Sequence, residues 1–132
     1  GNTSLIKSVV PVIDSFSTEI DLKETTEYCN KYINSFERYV IKCDTQGMDA
    51  LILSRFPERI WKNCETAVIE VWALAEINKN DVDKLLSMFL EFDYVGWSPK
   101  AKSRNKIGLN EVSEFWLNKS GSFRNLFLSK KF

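Results

Sequence analysis

The sequence predicts an all-α domain, a bundle of four main helices and two or three short ones around a central apolar helix at about residues 57–77. Three observations support this prediction. Apolar residues recur every three or four positions along most of the chain, which is helical spacing. Residues that start or stop helices stand between these stretches. The length of 132 residues, 44% of them hydrophobic and 27% charged, is typical of one folded domain, so we expect a single helical domain over 1–132.

Two helices are predicted in the N-terminal third. The first covers about residues 4–20. Pro11 within it predicts either a kink or a helix that begins near Pro11, and a short extended segment around Pro11 is a further alternative. The second begins at Asp21, where Glu24 completes a capping box, and is stopped by Gly47. Its apolar stripe consists of Tyr28, Tyr32, Phe36, Tyr39, Val40 and Cys43.

The central helix is predicted from the longest apolar stretch. A short helix at about 49–56 precedes it, and Pro57 is well suited to the first helical position. Because residues 57–77 are apolar nearly all round, this helix is expected at the centre of the fold, with Trp72 buried in it.

Three further helices complete the prediction. Asn80 is expected to cap a helix whose buried face contains Val82, Leu85 and Phe89. Asn110 is expected to cap the next, and a last short helix covers about 123–127. The inward residues of these last two helices are Val112, Phe115, Trp116, Phe123, Leu126 and Phe127.

The absent residues exclude most catalytic classes. The chain has no histidine, which removes His-dependent triads and nearly every catalytic zinc site. Its three cysteines, Cys29, Cys43 and Cys64, form no CxxC pair and are expected to be reduced, buried and inert, which favours the cytoplasm. No Gly-rich nucleotide motif is present. The sequence therefore predicts a protein without catalytic residues, metal or cofactor.

No segment suggests a membrane or a secretory route. The apolar stretch at residues 5–13 is interrupted by Lys7 and Pro11 and is too short to span a bilayer. The chain begins with Gly1 and not with Met, which leaves open both a remnant of cleavage and a piece of a longer protein.

Charge is divided unevenly along the chain. Residues 1–99 contain 10 Lys and Arg against 16 Asp and Glu, a net charge of −6, whereas residues 100–132 contain 8 against 2, a net charge of +6. Such asymmetry indicates either an interaction surface or a basic end that folds back onto an acidic body. Both interpretations stay open at this point.

The candidate partner-binding residues lie at the start of the basic C-terminal segment, residues 97–132. They are Trp97, Lys100, Lys102, Arg104 and Lys106. An extended chain would place the four cations along one edge, about 6.6 Å apart, where they suit a row of carboxylates or phosphates. Trp97 could stack on a base, or it could anchor the loop to the core.

The sequence thus predicts a small protein–protein interaction module, such as an adaptor, an inhibitor or an immunity-type protein. The prediction rests on the missing catalytic residues and on the 13% of aromatic residues. The alternative is a nucleic-acid-binding accessory protein that uses residues 97–131. No motif points to a particular family or partner.

Overall fold

The computed structural model describes residues 38–99 and 106–130, together with Glu27 and Lys31, which are helical and exposed. In the two ranges the chain forms strands and helices in the order β1 (Tyr39–Cys43), α1 (Asp49–Leu53), α2 (Glu58–Lys62), β2 (Cys64–Trp72), α3 (Lys79–Phe89), β3 (Tyr94–Gly96), α4 (Leu109–Trp116) and β4 (Phe123–Ser129). The fold is therefore α/β, and the prediction of an all-α helical bundle is wrong.

The four strands form one mixed sheet in the order β1-β2-β4-β3. Strands β1 and β2 are parallel, and β4 runs antiparallel to both β2 and β3. In this register Ile69 of β2 lies between Cys43 of β1 and Leu126 of β4. Parallel neighbours cannot be joined by a tight turn, and here α1 and α2 form the crossover.

The predicted central helix at 57–77 is instead the short helix α2, a turn at Asn63 and the central strand β2. Pro57, predicted at the first helical position, is instead the N-cap residue, one position before the helix begins. Residues 64–72, however, are rich in β-branched side chains and alternate between the two sheet faces, with Ala67, Ile69 and Val71 fully buried. A stretch that is apolar on both faces suits a central strand as well as a buried helix.

Two other predicted helices are strands in part of the described chain, whereas Glu27 and Lys31 are helical as predicted. The C-terminal part of the helix from Asp21 to Cys43 is strand β1, in which alternate residues are buried and exposed. The short helix predicted at 123–127 is strand β4. The helix predicted at 4–20, and residues 21–37 apart from Glu27 and Lys31, lie outside the described residues.

Helices α1, α3 and α4 lie where the sequence predicts helices. The cap of α3 is Asn78 and not Asn80, since the Asn78 side chain accepts hydrogen bonds from the backbone N–H groups of Asn80 at 2.8 Å and Asp81 at 3.4 Å. The N-cap position of α4 is Gly108 and not Asn110. Among the described helices, none combines the length and the apolar character that a membrane span requires.

The core lies between the helices and one face of the sheet. Its largest fully buried side chains are Trp61 of α2 and Trp116 of α4. Trp72, which the sequence predicts in the core, is half-buried on the other face of the sheet. That face is partly open, because Val40 is 50% exposed and Phe123 is 49% exposed.

Candidate functional site

Trp97 is held at the surface just after β3. Its ring packs against Phe115 with centroids 5.2 Å apart, and its indole N–H donates to Glu111 Oε2 at 2.8 Å. Glu111 and Phe115 are four residues apart on α4, so the helix presents both on the same side. Two contacts from one helix therefore hold the indole in place.

Arg124 completes this cluster from β4. Its guanidinium lies 4.8 Å from the centroid of the Trp97 ring and 5.6 Å from that of Phe115. Cation–π contacts of this kind are worth about 0.5–1 kcal/mol at exposed positions. The side chain is exposed and forms no ion pair with any described residue. Two aromatic rings thus fix the position of an exposed guanidinium.

Of the candidate residues predicted from the sequence, the structure describes Trp97 and Lys106. Lys106 is exposed and precedes Ile107, whose backbone N–H donates to Val95 of β3 at 2.9 Å. Trp97 and Lys106 therefore lie at the same edge of the sheet. Lys100, Lys102 and Arg104 lie outside the described residues. We call Trp97, Lys106, Glu111, Phe115 and Arg124 the aromatic–basic surface.

Three residues of this surface were missed at the sequence level. Phe115 was predicted to face inward, although it is half-buried beside Trp97. Glu111 carried a usable signal, because it stands four residues before Phe115 on a predicted helix. Arg124 carried none, because it falls in a segment predicted to be helical.

The basic end does not pair with the acidic body in the part of the chain that the structure describes. The described salt bridges, Arg38–Glu65, Arg55–Asp81 and Lys79–Asp83, all lie within residues 38–99. Lys106, Lys119 and Arg124 form no ion pair there. Among the described residues, these three cations therefore have no carboxylate partner.

Lys130 has a different, structural role. Its ammonium group donates to the backbone carbonyls of Trp61, at 2.5 Å, and Lys62, and it lies 5.4 Å from the ring centroid of Phe92. These carbonyls are at the carboxyl end of α2, where a helix attracts positive charge. Lys130 therefore caps α2 and is not part of the aromatic–basic surface.

A second group of polar side chains lies at the carboxyl ends of β1 and β2. Asp49, only 1% exposed, accepts hydrogen bonds from the backbone N–H of Thr45 at 3.3 Å and from the Thr45 hydroxyl. Burial raises the pKa of Asp49 to about 7, and Glu70 adds to the increase. Burial and the same carboxyl group together raise the pKa of the neighbouring Cys43 thiol.

Glu70 links this group to the open face of the sheet. Its carboxylate accepts a hydrogen bond from the Trp72 indole N–H and interacts with the Asp44 carboxyl group. Burial raises the pKa of Glu70, and Asp44 raises it further. Within the described residues, no group of three Cys, Asp or Glu side chains is placed to hold a metal ion.

A cleft of about 310 Å³ is lined by Met48 and Ala50, the residues on either side of Asp49 in the chain. Its walls come from the loop after β1, from helix α1 and from the loop between β2 and α3. The lining is mainly apolar, including Met48, Leu74 and Ile77, and the Arg55–Asp81 ion pair lies at the cleft. Small-molecule sites in α/β proteins often lie at the carboxyl ends of parallel strands, where this cleft lies.

Comparison with known proteins identifies no relative: no family model, no curated protein and no solved structure matches the chain.

Proposed function

We propose that this chain is a small protein-binding domain that takes an acidic segment of a partner protein on the aromatic–basic surface. One observation carries the proposal: the exposed guanidinium of Arg124 is held over Trp97 and Phe115, with no carboxylate partner among the described residues. A guanidinium fixed in this way loses little side-chain entropy when it binds a carboxylate with both arms of its fork. Aromatic residues and arginine are enriched at protein interfaces.

One feature favours a protein over a nucleic acid. The Trp97 ring is in contact with Phe115 and with Arg124, which restricts the space for a base to stack on it. A nucleic-acid-binding role through residues 97–131 is therefore the second candidate.

The proposal includes no catalytic step and no cofactor. It includes a cytoplasmic location, supported by the free thiols of Cys43 and Cys64, since oxidising compartments favour disulfides. The adaptor, inhibitor or immunity-type role depends on the partner.

The test is a titration of the full chain with a synthetic peptide rich in Asp and Glu. Trp fluorescence and isothermal titration calorimetry measure the binding. The expected result is saturable binding that Arg124→Ala weakens roughly tenfold, because an arginine at the centre of an interface typically contributes more than 1 kcal/mol. Arg124→Lys keeps the charge but loses the guanidinium group that binds a carboxylate through two N–H donors. Its affinity for the peptide is expected to lie between those of Arg124→Ala and the unmodified chain. Lys84→Gln, which removes an exposed cation from α3, is the matched control and should leave binding unchanged.

Duplex DNA and single-stranded RNA serve as competing probes. Binding to either one, with an affinity that falls steeply with salt and with no binding to the acidic peptide, would replace the proposal by the nucleic-acid candidate. Equal affinity of Arg124→Ala and the unmodified chain for the peptide would also reject the aromatic–basic surface.

A further inference from the structure

The loop between β1 and α1, residues 44–48, is closed by contacts to a buried acid. Both donors of Thr45, its backbone N–H and its hydroxyl, point at Oδ1 of Asp49. The other oxygen of Asp49, Oδ2, is buried with no hydrogen-bond partner in the described part of the chain. A charged carboxylate in this position would leave one oxygen without water or donor, which is costly, whereas a protonated carboxyl group is tolerated there.

The groups around Asp49 act on its charge in both directions. Burial is the largest effect and opposes the charge, and the Glu70 carboxyl group on β2 opposes it as well. The loop's own donors and the nearby Cys43 thiol on β1 favour the charged form, but they do not outweigh burial. Asp44 in the loop and Lys42 on β1 act on Glu70. Ionised Asp49 is therefore disfavoured in the closed loop, in a space from which water is largely excluded.

The backbone of the loop is not relaxed in the closed form. Gln46 has φ of 54° and Gly47 has φ of 112°, both in the left-handed region. A side chain at Gly47 would come within 2.5 Å of Leu74 Cδ1, so the loop lies tightly against the end of β2. A non-glycine residue such as Gln46 is strained in this conformation.

We propose that residues 44–48 form a pH-sensitive flap over the cleft, closed while Asp49 is protonated and released when Asp49 ionises. Opening lets the carboxylate reach water and relaxes the left-handed turn. Gly47 and Met48 line the cleft, so the movement of the flap changes its shape. The pKa of about 7 for Asp49 puts this change near neutral pH. The flap is independent of the aromatic–basic surface.

The test is hydrogen exchange of the loop amides in the full chain, resolved by NMR and expressed as protection factors, so that the intrinsic effect of pH cancels. The amide of Thr45 reports closure directly, because it donates to Asp49. The comparison is with Asp49→Asn, which keeps an acceptor oxygen for Thr45 but cannot ionise. Relative to that variant, Thr45 protection in the unmodified chain should fall roughly tenfold per pH unit between pH 5 and 7.

Two further variants make the result specific. Glu70→Gln removes a neighbouring negative charge and should lower the pKa of Asp49. The fall in Thr45 protection should then end at a lower pH than in the unmodified chain. Glu76→Gln, an exposed carboxylate at the cleft, should leave the profile unchanged. Parallel profiles for the unmodified chain and Asp49→Asn would overturn the proposal. So would a loss of Thr45 protection that matches the loss at β2 amides, because that pattern reports global unfolding.

Discussion

Trp72 and Phe123 stack across β2 and β4 with ring centroids 4.7 Å apart and planes at 25°. They are register partners on the sheet face turned away from the helices. The Trp72 indole N–H also donates to Glu70, whose pKa is raised by burial and by the Asp44 carboxyl group. One aromatic pair thus connects the open face of the sheet to the carboxyl group at the end of β1.

The position of Trp72 sets the cost of removing it. Trp116→Ala empties a fully buried site and should lower the free energy of unfolding by about 3–5 kcal/mol. Trp72→Ala loses the stack and part of a half-buried surface, for which we expect about 1–2 kcal/mol. Chemical denaturation of both variants measures the difference. Equal losses would show that Trp72 is as much a core residue as Trp116.

The error in fold class has a physical origin in β2. Residues 64–72 carry Ala67, Ile69 and Val71 on the buried face and Val68 and Trp72 on the other, so apolar residues follow one another closely. Periodicity alone does not separate such a strand from a buried helix. The β-branched residues Thr66, Val68, Ile69 and Val71 were the signal that favours a strand. Helices α1, α3 and α4 each have one polar side, so the helical spacing of their apolar residues predicted them correctly.

The candidate surface was only partly predictable for a related reason. Trp97 and Lys106 were found because aromatic and basic residues cluster in that stretch of sequence. Arg124 joins them through the pairing of β3 with β4, a contact between distant parts of the chain that local patterns do not contain. Asp49 appeared in the sequence as the start of a short helix, and its burial depends on how the loop after β1 folds.

Lys130 should matter for stability more than other lysines of the basic segment. Lys130→Met keeps the aliphatic stem but leaves the carbonyls of Trp61 and Lys62 without their donor, which should cost about 1–2 kcal/mol. Lys119→Met removes an exposed cation that forms no ion pair with a described residue. It is the control, expected within about 0.5 kcal/mol of the unmodified chain. Thermal and urea unfolding of both variants test the expectation, and equal stabilities would contradict the capping role.

The described cysteines should be chemically inert in the folded protein. Burial raises the pKa of Cys64 to about 12 and that of Cys43 well above its usual value, so little thiolate exists at pH 8. In a Cys29→Ser variant, a thiol reagent should label neither cysteine rapidly before denaturation, and both afterwards. Labelling of native Cys64 as fast as that of a free thiol would point to a reactive cysteine.

The pH dependence of global stability provides a measurement on Asp49 that is separate from loop exchange. Folding raises its pKa from 3.8 to about 7, so between these values the folded protein keeps a proton that the unfolded chain releases. Its contribution to stability is complete below about pH 4 and is lost as the pH rises through 7. Because one pKa unit corresponds to about 1.4 kcal/mol, the loss amounts to at most about 4 kcal/mol.

Asp49→Asn isolates this contribution, because asparagine preserves the acceptor for Thr45 and has no proton to lose. Measured by urea denaturation, the free energy of unfolding of the unmodified chain should fall relative to that of Asp49→Asn between pH 4 and 7, and the difference should become constant above about pH 8. Asp83→Asn, at an exposed ion pair with Lys79, is the control and should follow the unmodified chain to within about 0.5 kcal/mol. A constant difference between the chain and Asp49→Asn across the whole range would mean that Asp49 ionises in the folded protein as readily as in the unfolded one, and that its burial is relieved by water reaching Oδ2.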